Sequence, residues 1–180
     1  MSKINDLDLK NWKGLTDIWT DSLWIIEKRD NSGAHNAHYH GNFVPQIVYQ
    51  LLSRYTKTGD FVLDPFAGSG TTLIEAQRMN RNSIGIELQE NVAVEAIKRI
   101  HSERKDGIIA DTFIDNSKYF DTARILELYH IENVQFIIFH PPYWDIIKFS
   151  ENEEDLSNSK TLEDFIENFR QVVRNTLDNS

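Results

Sequence analysis

The sequence predicts an open α/β sheet of mostly parallel strands, and three observations carry that expectation. Short apolar runs alternate along the chain with stretches of helical period. One of these runs, Phe61-Val62-Leu63, leads through Asp64 into a glycine-rich turn, Gly68-Ser69-Gly70, that opens a helix. A second run, Ile84-Gly85-Ile86, closes on an acid, Glu87, about twenty residues past the glycine turn. Sheets of this kind bind ligands in the crevice outside the carboxyl ends of their strands.

The elements follow in order. Residues 1–40 hold Trp12, Trp19 and Trp24 among polar neighbours and a turn signal at Asn31-Ser32-Gly33, and read as an N-terminal arm packed on a domain of residues 41–180. Val44, Ile47, Val48, Leu51 and Leu52 lie at helical spacing behind Pro45, and Thr58-Gly59-Asp60 stops that helix. Phe61–Leu63 is a first strand and Thr71–Met79 the helix after its turn. Ser83–Glu87 is a second strand, Asn91–Glu103 a helix, Gly107–Ala110 a third strand, Asp121–Tyr129 a helix and Val134–Phe139 a fourth strand. Leu162, Phe165, Ile166, Phe169, Val172 and Val173 mark a last helix, with Thr161 and Asp164 spaced as a capping box.

Composition narrows the function classes. At 180 residues with 40% hydrophobic content the chain suffices for one domain with a core. Its longest apolar run, Phe136 to Phe139, is far short of a membrane span, and the N-terminus lacks a signal-peptide pattern; the expected location is the cytoplasm. The absence of cysteine removes disulfides, thiolate metal sites and cysteine nucleophiles, and with the last of these methylation at carbon 5 of cytosine. A net charge of -9 argues against this chain gripping DNA alone, because phosphate contacts need basic surface. Residues 151–180, with eight acids and three bases, read as a solvated loop and helix face. His35, His38 and His40 crowd one stretch, but no fourth ligand stands at suitable spacing; they read as loop residues near the ligand loop, and no metal site is expected.

Four strings carry chemistry. In Asp64-Pro65-Phe66-Ala67-Gly68-Ser69-Gly70-Thr71-Thr72, the glycines permit a tight turn and close ligand approach, and the helix start offers N–H groups to an anion such as an amino-acid carboxylate. Asp64 is then placed to pair with an amino group; an ordinary βα turn is the plain alternative. Glu87 ends strand two, where an acid accepts both hydroxyls of a ribose, or serves as a helix-start charge. Asp111, after the third apolar run, either accepts from an adenine amino group, with Phe113 packing on the same ring, or is a helix N-cap. In His140-Pro141-Pro142-Tyr143-Trp144 two prolines remove two N–H donors and leave carbonyl acceptors. That suits a substrate –NH2, whose lone pair is freed as its hydrogens are accepted, while Tyr143 stacks on a planar base. A polyproline turn is the alternative.

Together these strings resemble the amino-methyltransferases of DNA, the N6-adenine and N4-cytosine enzymes. Asp64 to Thr72 is similar to the family's cofactor motif, and His140, Pro141, Pro142 and Tyr143 to its catalytic motif, where Asp, Asn or Ser usually stands in place of His140. His40-Gly41-Asn42-Phe43-Val44-Pro45 resembles the element before the cofactor loop that covers the methionine moiety. The resemblance spans roughly residues 20 to 175. It implies a Rossmann-like fold, S-adenosylmethionine as cofactor, and DNA as partner. The implied cofactor contacts are Phe43, Asp64, Pro65, Phe66, Gly68, Ser69, Gly70, Thr71, Thr72, Glu87 and Asp111. The implied reaction is direct methyl transfer to the exocyclic amino group of adenine or cytosine, in a restriction-modification setting.

The resemblance also implies a seven-stranded sheet, three strands more than the four expected here. The expectation is therefore an incomplete sheet, either a fragment of a longer protein or a half completed by a second chain. Pro-Pro-aromatic motifs also serve in methylation of RNA and of protein glutamine, and a non-catalytic cofactor-binding subunit is the alternative from another class.

Overall fold

The structure, a computed structural model, describes residues 6–35 and 39–177, apart from the side chains of Leu9 and Trp12. Helix α1 covers Pro45–Tyr55, with proline in its first turn, where the absent N–H costs nothing. Strand β1 is Phe61–Asp64, α2 Thr71–Arg78, β2 Asn82–Glu87, α3 Glu90–Ser102, β3 Ala110–Ile114, α4 Thr122–Leu128, β4 Phe136–Ile137 and α5 Leu162–Leu177. The four strands form one parallel sheet in the order β3-β2-β1-β4. The order reverses between β1 and β4, which opens a crevice at their carboxyl ends.

Alternation along β1 divides the core. Val62 points to one face, among Val48 and Leu52 of α1 and Ala76 of α2. Phe61 and Leu63 point to the other, against Ile84, Ile86, Phe120 and Ile125. A third cluster joins α2 to α3 through Leu73, Ile74, Ala96 and Ile100 and takes in Ala34 of the arm. Gly85 of β2 lets α2 approach: a Cβ there would stand 2.8 Å from the Ala67 side chain and 3.0 Å from that of Leu73.

Two strands differ from expectation. The third begins at Ala110 and ends at Ile114, rather than spanning Gly107–Ala110, because Gly107 has φ +75 and turns the chain before the ladder starts. The fourth is shorter than Val134–Phe139. Its ladder pairs Phe136 and Ile137 with Val62 and Leu63, and single bonds from Gln135 N–H to Phe61 O (3.0 Å) and from Ile138 N–H to Leu63 O (2.9 Å) extend it. The last helix carries half of its expected capping box, with the Asp164 N–H donating to the Thr161 hydroxyl at 3.1 Å.

The arm is anchored by charge and aromatic contacts. His35, 1% exposed, places Nε2 2.6 Å from Oε1 of Glu75. Arg78 bonds Glu75 (3.2 Å) and Glu103 (2.6 Å), and Glu103 accepts the Ala34 N–H at 2.7 Å. Trp19 and Trp24 meet edge to face, and Arg54 of α1 lies over the Trp24 ring. His35 thus belongs to a buried hydrogen-bonded network against α2 and not to the ligand loop; His40 is exposed, and His38 lies outside the described residues. Among the described residues no helix is long and apolar enough to cross a membrane.

Candidate functional site

One cleft at the carboxyl ends of the strands collects the motifs. It is lined from β1 and its loop by Asp64, Pro65, Phe66, Gly68 and Ser69, from α2 by Thr71 and Thr72, and from β2 by Glu87. Phe43 lines it from the segment before α1, and His140, Pro141, Pro142 and Tyr143 from the segment after β4. Residues far apart in the chain meet there because parallel strands deliver their carboxyl ends to one edge.

The β1–α2 loop is built for close approach. Gly68 has φ +51, and a Cβ on it would stand 3.4 Å from the Tyr39 ring. The first bond of α2 within this turn runs from Ile74 N–H to Gly70 O at 3.0 Å, which leaves the N–H groups ahead of it without an intrahelical acceptor, as at any helix start. Ser69 donates its hydroxyl to Oδ1 of Asn42, tying the loop to the segment before α1. Gly70 plays a different part from the one expected. It has φ +84 and faces α3, where a Cβ would meet Ile100 at 3.1 Å, so it serves helix packing and not the cleft.

Two buried carboxylates stand on this wall. Asp64 is 2% exposed and accepts the Phe66 N–H at 2.9 Å; burial pushes its carboxyl up to about 6. Glu87 accepts the N–H of Gly68 with Oε2 and that of Gln89 with Oε1, both at 2.9 Å. Burial, against the pull of those two bonds, holds it at about 6 as well. A carboxylate so buried gains from a ligand that brings a cation or hydroxyl donors to it. An amino acid cation beside Asp64 and a diol beside Glu87 satisfy that demand, and the N–H groups at the start of α2 suit a carboxylate.

The opposite wall carries the aromatic motif. The His140 imidazole lies flat on Phe43, ring centroids 4.3 Å apart and planes 8° from parallel. Its Nε2 is 3.1 Å from the Tyr143 hydroxyl. Burial pushes its pKa below the ordinary histidine range, which favours the neutral ring. Tyr143 is 50% exposed at the mouth.

Asp111 does not belong to this site. With β3 starting at Ala110, Asp111 falls in the strand rather than at its end, and its carboxylate accepts the Tyr129 hydroxyl at 2.7 Å. Phe113 packs in the sheet core against Tyr129. The residues past the end of β3 that reach the cleft are Asn116 and Ser117, and the Ser117 hydroxyl donates to Pro65 O.

The strap of residues 149–156 completes the enclosure. Phe149 packs over Gly41 and beside Tyr39, while Glu154, Asp155 and Leu156 line the cleft. Glu154 binds Nζ of Lys118 at 2.6 Å and Nδ2 of Asn116 at 3.1 Å. Asp155, 7% exposed, caps the short turn after it by accepting the Ser157 N–H. Part of the acidic stretch that reads as solvated is therefore a cleft wall. Its signal in sequence is the spacing of Asp155 and Ser157, a local turn that says nothing of where the turn lands.

The chain has informative relatives. The type II methyltransferase M.MjaII of Methanocaldococcus jannaschii is 45% identical over 65 residues, 36% of this chain and 12% of that protein. The type II methyltransferase M.MthZI of Methanothermobacter thermautotrophicus is 38% identical over 76 residues, 42% of this chain and 21% of that protein. The matched stretches thus cover less than a quarter of either relative. Among solved structures, TrmN from Thermus thermophilus superposes with a TM-score of 0.50 at 19% identity, over 76% of this chain and 34% of that one, a likeness of fold alone. The N6/N4 methyltransferase profile, described as DNA methylase, matches residues 2–99, more than half of the chain, and this chain belongs to that family.

Proposed function

We propose that this chain is the cofactor-binding and catalytic part of a site-specific DNA methyltransferase that acts on the exocyclic amino group of adenine (N6) or cytosine (N4), with S-adenosylmethionine as cofactor. The observation that carries this reading is the meeting, in one cleft, of the Asp64 and Glu87 wall with the His140–Tyr143 wall. Asp64 is the partner for the cofactor's amino group, Glu87 for its ribose hydroxyls, and the start of α2 for its carboxylate. Pro65, Phe66, Gly68, Ser69, Thr71 and Thr72 shape the same wall, and Phe43, stacked on His140, faces it across the cleft. When bound, the cofactor supplies a methyl group on a sulfonium, an electrophile.

The chain's own residues do the rest. The neutral His140 offers one acceptor nitrogen, and the carbonyl oxygens of the Pro-Pro segment offer others without competing N–H donors. Accepting the two hydrogens of an amino group concentrates its lone pair on nitrogen and orients it. Tyr143, half exposed at the mouth, is placed to stack on a base turned out of its duplex. Membership in the family described as DNA methylase favours DNA over RNA or a protein amide as the substrate.

Calorimetry with S-adenosylmethionine tests the first half, with Glu87→Ala expected to lose roughly 1–3 kcal/mol of binding; undiminished affinity removes Glu87 from the ribose. Transfer of labelled methyl to duplex DNA, compared with RNA and with protein, tests the second half. Labelling of RNA or protein in preference to DNA overturns the substrate.

A further inference from the structure

An imidazole is a demanding replacement for the Asp, Asn or Ser that this resemblance leads one to expect at position 140. A carboxylate or a hydroxyl presents an acceptor in almost any rotamer. A neutral imidazole has one acceptor nitrogen and one donor, and the ring rotates about χ2. It accepts an amino hydrogen only if its plane is held, its proton sits on the nitrogen away from the substrate, and it stays uncharged.

We infer that Phe43 is a positioning residue for the reaction, fixing the plane and the tautomer of His140 so that Nε2 faces the substrate amino group; this rests on reading the cleft as a methyl-transfer site. The stack is close and nearly parallel, at 4.3 Å and 8°, which blocks rotation of the imidazole out of plane. Phe43 is itself braced against the core cluster of Val48, Leu52, Val62 and Ile138. With the plane held, Nε2 lies 3.1 Å from the Tyr143 hydroxyl. On this inference the hydroxyl is the donor and the proton sits on Nδ1, so that Nε2 is the lone-pair nitrogen that an incoming amino group takes over.

Tyr143 is the titratable group in contact with the ring. Asp64, Glu87, Glu154, Asp155 and Tyr39 face the same cleft from its other walls, but the shift of His140 comes from burial and not from their charges. An aromatic face by itself favours a cation above it, so the stack supplies orientation while burial keeps the ring neutral.

The test is nitrogen-15 NMR of the histidine rings in the 180-residue chain at pH 8, with intact amide spectra as the folding control. The expected result is a His140 ring protonated on Nδ1 in the native protein, a mixture of tautomers in Phe43→Leu, and restoration of the single tautomer in Phe43→Tyr, which keeps a flat ring. Phe43→Met is the milder variant should leucine unfold the chain. An unaltered tautomer in Phe43→Leu or Phe43→Met overturns the inference.

Turnover supplies a second arm at saturating cofactor. Phe43→Leu should cost about tenfold when His140 is present and less than about twofold in a His140→Asn background, since coupled residues are non-additive. Equal losses in the two backgrounds make Phe43 merely structural and overturn the inference. A chain that labels RNA or protein in preference to DNA overturns the substrate reading instead, and the NMR arm still decides the role of Phe43.

Discussion

The wall of the cleft that carries Asp64 and Glu87 differs in kind from the wall that carries His140 and Tyr143. The first stands on four- and six-residue strands that pair with each other. Its carboxylates are nearly buried and hold backbone N–H groups of the loop. The second follows a two-residue strand, and Tyr143 lies half exposed at its mouth while His140 is partly buried behind it. Buried, fully bonded groups are fixed before a ligand arrives, at a cost in desolvation. Exposed rings are cheap to leave empty and free to admit a large planar group. The difference suits a small cofactor held deep and a base that enters and leaves.

The largest expected effect separates the two walls. Tyr143→Ala should reduce methyl transfer to DNA by up to about 100-fold, since stacking on a base is worth roughly 1–3 kcal/mol, while calorimetric affinity for the cofactor stays within about twofold. Collapse of cofactor binding in that variant would place Tyr143 on the cofactor wall and erase the distinction.

Glu87 gives the converse. Glu87→Gln keeps one acceptor oxygen and should lose about 1 kcal/mol of cofactor affinity, less than the alanine variant, because one hydrogen bond to a charged group is given up. Equal losses for glutamine and alanine would mean that the charge of Glu87, and not its two acceptors, matters to the ligand.

The same contrast explains which parts were legible in the sequence. The cofactor wall is local. A strand, a glycine turn and a helix follow one another within residues 61–78, and Glu87 ends the next strand, so periodicity and turn chemistry place these groups. Even there Gly70 was legible as a turn glycine and not as one that faces Ile100, because the partner lies in α3. Asp111 shows the weakness of a short apolar run. Ile108 and Ile109 look like strand, yet the ladder begins only at Ala110, and shifting the strand moved its end from Ala110 to Ile114. The strap of Phe149 to Leu156 and the pairing of His35 with Glu75 were not legible at all. Both depend on contacts between segments remote in sequence, for which residue pattern carries no signal.

Buried acids also predict a conflict between stability and binding on the deep wall. Asp64 has a folded value of about 6 against 3.8 for the ordinary carboxyl. Its folded value is the raised one, so its favourable contribution is complete below about 3.8 and is lost as pH rises through about 6. Above that, the empty protein carries a buried charge. Asp64→Asn should raise the ligand-free stability by about 1–3 kcal/mol at pH 8, and by less at pH 5, since a folded and an unfolded value one pH unit apart correspond to about 1.4 kcal/mol. The same variant should weaken cofactor binding. Denaturant unfolding at the two pH values measures the gain, and a gain that does not vary with pH would point to packing, not charge.

The smallest effect probes the strap that joins the two walls. Glu154 is half exposed, whereas the Lys118 side chain it binds is 6% exposed. The pair is therefore unequal. Truncating the carboxylate leaves a nearly buried ammonium without its anion, and an unpaired buried charge is costly. Replacing the lysine with methionine leaves a carboxylate that water solvates and an apolar side chain that fits the space. Glu154→Ala should accordingly cost about 1–2 kcal/mol in denaturant unfolding, and Lys118→Met about 0.5 kcal/mol or less, near the worth of an exposed pair. Both variants release the strap from Lys118, and Glu154→Ala frees it from Asn116 as well, so cofactor dissociation followed by stopped flow should quicken more in Glu154→Ala. Equal costs for the two variants would show that Lys118 is reached by water, and that the strap is held by Phe149 and Leu156 rather than by this ion pair.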